Sequence, residues 1–159
     1  FFEDMVAEVL ALTGEDSSVK VRRVLRNSCM LSSDVSAAYD PLYPEVFEKK
    51  NTAYFGRGLV LNKYTGSRGK NGTSDANAEY VAKVRNVFDN NHVAFQTAEL
   101  GKVDQGGGGT IAYVMANKAM SVIDSGVAVL SMHAPYEVTS KSDIYEVYRG
   151  YKAFLKDMK

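Results

Sequence analysis

The sequence predicts an α/β fold, a mixed and largely parallel sheet flanked by helices. Three observations predict it. Short apolar, β-branched runs alternate along the chain with amphipathic helical stretches, the pattern of strands joined by helices that pack on a sheet. The chain has 159 residues, which at roughly 100 to 200 residues per domain is one core. Apolar residues make up 45% and charged residues 24%, enough apolar surface to offset conformational entropy. There is no internal repeat and no long linker.

Phe2, Met5, Val6, Val9 and Leu12 recur at helical spacing, with Gly14 as the stop. Ser17 and Ser18 open a second short helix, Val21, Val24 and Leu25 on one side and Arg22, Arg23 and Arg26 on the other. Cys29-Met30-Leu31 reads as a short buried strand ending at Ser32-Ser33-Asp34. Asp40-Pro41-Leu42-Tyr43-Pro44 is irregular, because its prolines fix the backbone and break ladders. Leu59-Val60-Leu61 is a strand, and Thr65 to Thr73 a Gly-rich polar loop. Ser74 or Asp75 then caps a helix whose core face is Ala78, Val81, Val84 and Phe88.

Val93 to Thr97 alternates as a strand, followed by Gly106 to Gly109 and a helix from Thr110 through Ile111, Val114 and Met115. Ser121-Val122-Ile123 and Val127 to Leu130 are strand-like around Gly126. The last helix is capped by Ser140, with Asp143 completing a capping-box-like pair. Its apolar stripe is Ile144, Val147, Tyr151, Phe154 and Met158.

Nineteen Lys and Arg balance nineteen Asp and Glu. A balanced charge gives no long-range pull towards nucleic acid or anionic membrane. The arginines of the second helix have no interleaved aromatic residues and read as a solvated face. No apolar run reaches the ~18 residues a membrane-spanning helix needs. The single cysteine, Cys29, forms no intrachain disulfide, so the expected setting is the reducing cytoplasm. It reads as an inert buried thiol.

Candidate chemistry gathers at strand ends. Gly106 to Gly109 and Thr110 stand between a strand and a helix, where a ligand can approach bare backbone and first-turn amides attract negative charge. No Gly-Lys-Ser/Thr ends the run, and Gly69-Lys70-Asn71-Gly72 lacks the first glycine of a phosphate loop. Nucleotide binding is unsupported. Asp34 follows a short apolar strand and His133 another. A carboxylate and an imidazole at two strand ends are donors that zinc prefers, although zinc wants four ligands, or three and water. Glu137, four residues beyond His133, is placed to orient the imidazole. His92, in a polar turn, reads as solvated.

Three segments taken together resemble the aminopeptidase I / aspartyl aminopeptidase family of di-zinc metallopeptidases. They are Met30-Leu31-Ser32-Ser33-Asp34-Val35 with Asp40-Pro41, then Asp104-Gln105 with the glycines and Thr110-Ile111, then Leu130-Ser131-Met132-His133 with Glu137. The Ser140 to Tyr145 segment is similar to the bacterial branch of that family. The resemblance implies a zinc-peptidase-like α/β catalytic domain that removes N-terminal amino acids from peptides with two bridged zinc ions. It makes Asp34 and His133 metal ligands and puts Gly108, Gly109 and Thr110 along the substrate cleft. Lys63 corresponds to a cleft lysine of some members. Aspartyl-specific members carry a histidine three residues after the metal-binding aspartate. This chain has Ala37 there, so the resemblance gives no support for a strict acidic preference.

The resemblance also implies what this chain lacks. The family's first histidine, bridging aspartate and glutamate pair, which includes the general base, lie upstream, as does an inserted dimerisation domain. Residues 1–159 are therefore expected to be the C-terminal segment of a metalloaminopeptidase catalytic domain. The start at Phe1, without Met and within a helical pattern, fits that expectation, and the segment alone is expected to be inactive. The intact protein is expected to be a homo-oligomer acting on peptides, without nucleic-acid or membrane partners. The alternative is a non-catalytic α/β interaction module that has lost the metal site.

Overall fold

Leu59, Val60 and Leu61 are completely buried, and the strand that they form lies at the centre of the fold. The structure is a computed structural model. It describes residues 1–15, 17–67, 71–102, 105 and 107–158, with 67 and 71 described through their backbone. In chain order the elements begin α1 (Phe2–Leu12), α2 (Ser18–Arg26), β1 (Cys29–Ser33), β2 (Ser36–Ala37) and β3 (Leu59–Asn62). There follow β4 (Tyr64–Ser67), β5 (Asn71–Asp75), α3 (Ala78–Asn90), β6 (Phe95–Thr97) and α4 (Ala112–Ala116). The chain ends with β7 (Ser121–Gly126), β8 (Ala128–Leu130), β9 (Val138–Thr139) and α5 (Lys141–Asp157). One 3-10 turn, Pro44–Val46, interrupts the irregular proline segment.

The central sheet runs β1-β7-β3-β6. β1 is parallel to β7 and β3 to β6, while β3 and β7 are antiparallel. The sheet is mixed and mainly parallel, as the alternating pattern predicts. α3 and α5 cover one face, where Leu59, Leu61 and Ile123 meet Tyr80, Val84, Phe88 and Ala153. Burying each such large side chain stabilises the fold by about 1.5–3 kcal/mol. Val60 faces a second cluster of small residues, Ala38, Ala53, Ala98 and Ala128.

A second sheet, β2-β8-β9, continues the first. Ser33 pairs with Ser125 and Ser36 with Ala128, so β1–β2 and β7–β8 are one parallel ladder broken at Asp34-Val35. Across the break the Asp34 amide donates to the Ser125 carbonyl at 3.3 Å and the Ser36 amide to Val127 at 2.9 Å. The candidate ligand Asp34 thus occupies the joint between the two sheets.

Several expectations are corrected. The Thr65–Thr73 stretch, expected as a loop, falls within the antiparallel pair β4–β5, and residues 68–70, with the Gly69-Lys70 pair, lie outside the described residues. Because β5 uses Ser74 and Asp75, the cap of α3 is Asn77, whose side chain accepts from the Tyr80 amide at 2.7 Å. The core face turns with it, so Tyr80 and Val87 are buried and Ala78 is exposed. In α1 the stripe residues Phe2, Met5, Val9 and Leu12 are exposed. α4 is a five-residue turn with Ile111 and Val114 exposed. Cys29 is exposed rather than buried, since it starts β1 at the sheet edge.

Ser140 caps α5 as expected, accepting from the Asp143 amide. The Asp143 carboxylate, however, reaches out of the helix. It accepts from the Gly56 and Gly58 amides, each at 2.8 Å, and is 1% exposed. Ile144 is exposed, and Val147, Tyr151, Phe154 and Met158 pack against the core.

Candidate metal centre and substrate cleft

Asp34 and His133 line one cavity of about 420 Å³. Asp34 reaches it from the broken ladder, where its Oδ1 accepts from the Val35 amide at 2.8 Å. His133 reaches it from the turn after β8. That turn is tight: Ser131 has φ +57° and His133 φ +69°, left-handed conformations that non-glycine residues rarely hold without compensation. Glu137 supplies it, accepting from the His133 backbone amide at 2.5 Å. Glu137 was expected to orient the imidazole, but the bond holds the main chain instead. The histidine is positioned through its backbone. His92 is exposed in its turn at φ +53°.

The glycine turn lines the same cavity. Gly107, Gly108, Gly109 and Thr110 all line the cavity, which groups three of the expected cleft residues with both expected ligands. Gly107 has φ +89°, and a Cβ there would stand 2.6 Å from the Gly66 carbonyl oxygen, so glycine is required. The Gly66 amide donates to the Gly108 carbonyl at 2.9 Å, joining the turn to β4. Asp104 and Gly106 of the same motif lie outside the described residues. Lys63 pairs with Asp75 at the base of the hairpin and is not among the described residues lining the cavity.

The rest of the lining is Gly101 and the apolar side chains of Val35, Ala37, Val46, Phe47, Leu100 and Met132. Ala37 leaves the wall beside Asp34 without charge.

Two residues of β7 have places beside the site that the sequence reading did not assign. Asp124 is 2% exposed, and its Oδ2 accepts from the Thr110 hydroxyl at 2.9 Å and the Thr65 hydroxyl at 3.1 Å. Burial pushes its carboxyl above the usual carboxylate range; the Ser32, Thr110 and Thr65 hydroxyls oppose the shift and the Asp34 charge adds to it. Gly126 stands beside Asp34 with no room for a side chain. An acidic residue within the apolar run Val122-Ile123-Asp124 was the signal available for the first. A lone glycine between strand runs was the signal for the second.

Among the described residues no three His, Cys, Asp or Glu side chains cluster as a complete metal site. The donors at hand are one carboxylate and one imidazole opening on a shared cavity. They fit zinc in kind and supply half of a four-ligand set.

Comparison with known proteins names the family. The family model for aminopeptidase I zinc metalloprotease (M18) matches residues 1–155, and the chain belongs to that family. It is 60% identical over 157 residues to a probable M18 family aminopeptidase 1 from Clostridium acetobutylicum, covering 99% of this chain and 34% of the relative. The crystal structure of aminopeptidase I from that organism superposes with TM-score 0.86 at 61% identity, covering 98% of this chain and 33% of that one. An M18 aminopeptidase crystal structure from Thermotoga maritima gives TM-score 0.92 at 45% identity, covering 98% and 35%. The chain thus spans about a third of the length of these relatives.

Proposed function

We propose that this chain is the part of a zinc aminopeptidase that contributes Asp34 and His133 as metal ligands and the Gly108–Thr110 wall of the substrate cleft. The whole protein removes N-terminal amino acids from peptides. The observation that carries this reading is the shared cavity: two residues with donor side chains, from separate strand ends, line it together with a bare-backbone turn. The resemblance supplies the remaining elements of the proposal, namely two zinc ions, further ligands and a general-base glutamate outside this chain. Residues 1–159 then form the C-terminal segment of the catalytic domain.

Bound zinc would contribute Lewis acidity towards a peptide carbonyl. This chain's residues do the holding. Asp34 Oδ1 is fixed by the Val35 amide, which leaves Oδ2 for a metal. His133 is locked in place by Glu137 through the main chain. Gly109 has open space where a Cβ would be, so peptide backbone can approach it closely. The apolar lining and Ala37 support a neutral, apolar N-terminal side chain over an acidic one. Lys63 remains a cleft residue by resemblance only, since its structural partner is Asp75.

The family resemblance supports a homo-oligomeric whole protein. A balanced charge favours peptide over nucleic-acid partners. Among the described residues no helix is long and apolar enough to cross a membrane. An exposed free thiol at Cys29 suits a reducing compartment such as the cytoplasm.

The test is metal content and aminoacyl chromogenic hydrolysis in the full-length protein. Changes to residues that only orient metal ligands cost 10–100-fold, so Asp34→Ala or His133→Ala should lower turnover by more than about 100-fold. Each variant should also lose zinc from one site. Wild-type kinetics in either variant would overturn the assignment. A full-length protein with neither zinc nor turnover would favour the interaction module.

A further inference from the structure

Glycine turns have no side chains with which to hold themselves, so something else must set the shape of the cleft wall. Thr110 ends the turn, and its hydroxyl is 2.9 Å from Asp124 Oδ2. The Thr65 hydroxyl, from β4, meets the same oxygen at 3.1 Å, and the two threonine oxygens are 3.4 Å apart. Thr110 Oγ1 also accepts from the Ala112 amide at 3.2 Å, where α4 begins. Asp124, Thr65 and Thr110 are 2%, 2% and 9% exposed. One carboxylate oxygen in the sheet therefore ties together the hairpin, the glycine turn and the start of α4.

Such a group is expensive to keep. Burying a carboxylate costs free energy unless it is hydrogen-bonded, and the hydroxyls that meet Asp124 include those of Thr110 and Thr65 on Oδ2 and that of Ser32, its cross-strand neighbour. A buried acid kept at that cost and bonded to the end of the glycine turn calls for a role there. Its location supplies one, because Asp34 and His133 sit on different elements from the wall that Asp124 anchors.

We propose that Asp124 is a positioning residue for substrate binding, holding the Gly107–Thr110 wall in register with the hairpin through Thr110 and Thr65. This rests on reading the cavity as an aminopeptidase cleft. Asp124 does not touch substrate; it acts through Thr110. A loosened wall weakens contacts made equally in the ground and transition states, so the loss falls on KM more than on kcat.

The experiment uses the full-length, zinc-loaded protein and an aminoacyl p-nitroanilide series. Thr110→Val, which removes the hydroxyl at nearly constant volume, should raise KM roughly tenfold while kcat stays within about twofold. Thr110→Ser should return KM to within about twofold of wild type. Asp124→Asn should raise KM in the same direction, and zinc content should not change in any variant. A purely structural Asp124 would instead lower melting temperature and active fraction with KM unmoved, which would overturn the proposal. So would failure of serine to rescue. If Asp124→Asn does not fold, Thr65→Val decides, since Thr65 bonds the same Asp124 oxygen and is not among the described residues lining the cavity: a raised KM supports the proposal and an unchanged KM overturns it. A wild-type protein without hydrolysis would overturn the aminopeptidase reading itself. An active wild type with unchanged KM in Thr110→Val would overturn the positioning role only.

Discussion

A methyl group at residue 126 would lie 1.5 Å from the carbonyl oxygen of Asp34 and 2.6 Å from its carbonyl carbon. These are backbone atoms that cannot swing aside, so Gly126→Ala must push the ladder apart at the joint that carries Asp34. Overpacking of this kind costs about 1–3 kcal/mol. Calorimetry of the variant should show a lower melting temperature, and metal analysis of the full-length protein should show reduced zinc. Unchanged stability and zinc would mean that the joint yields without moving its ligand. Asp34 stood out because it ends an apolar strand, where side chains face the crevice of an α/β fold, although such a carboxylate is as readily a cap and only the family resemblance made it a ligand. Gly126 did not stand out, since its constraint comes from residue 34, ninety-two positions away by the ladder's register. Glu137 was readable as a partner of His133, but whether it held ring or main chain depended on the left-handed turn, which no pattern encodes.

At the scale of elements, a cap and the hairpin before it compete for the same residues. Ser74 and Asp75 are good N-cap types, yet each pairs in β5, Ser74 with Thr65 and Asp75 with Tyr64. The helix starts only after they are used, at Asn77. Asn77→Ala should therefore destabilise the protein by about 0.5–2 kcal/mol in chemical denaturation. Ser74→Ala should leave α3 capped; a loss from it equal to that of Asn77→Ala would return the cap to the sequence-predicted position. The same competition explains which elements were legible. β3 and α5 carry uninterrupted apolar periods, so Leu59-Val60-Leu61 and the Val147–Met158 stripe could be read directly. The hairpin has no apolar alternation, because backbone bonds and contact with the glycine turn hold it. The stripe of α1 has the correct period for a helix, but period alone does not say whether a face is covered.

At the scale of the whole molecule, two phenols tie the covering helices to the sheet. Tyr80 of α3 donates to the Met30 carbonyl at 2.9 Å, and Tyr151 of α5 donates to the Ser125 carbonyl at 2.6 Å and accepts from the Ser33 hydroxyl at 2.8 Å. Burial pushes both phenols up from the ordinary tyrosine value near 10, with Cys29 adding to the shift at Tyr80 and Asp34 at Tyr151. The hydrogen bonds to the sheet pull the other way and do not cancel it. Because the folded values lie above the unfolded ones, the unfolded chain loses these protons first as pH rises. It then binds fewer protons than the native state, so their contribution to stability is intact below about pH 10 and is lost as pH climbs through the folded values. Denaturant midpoints should accordingly fall from about pH 10 upward, together with the rise in tyrosinate absorbance. Tyr80→Phe with Tyr151→Phe should be less stable near neutrality, by about 1 kcal/mol for each lost hydrogen bond, yet decline less steeply above about pH 10. Parallel curves for wild type and the double variant would show that these two phenols do not carry the alkaline loss. The hydroxyls face Met30, Ser33 and Ser125 on β1 and β7, the strands that flank the Asp34 joint. Their deprotonation should therefore loosen the sheet around Asp34 along with the helices; if Asp34 holds zinc as proposed, zinc release from the full-length protein should track the same alkaline transition.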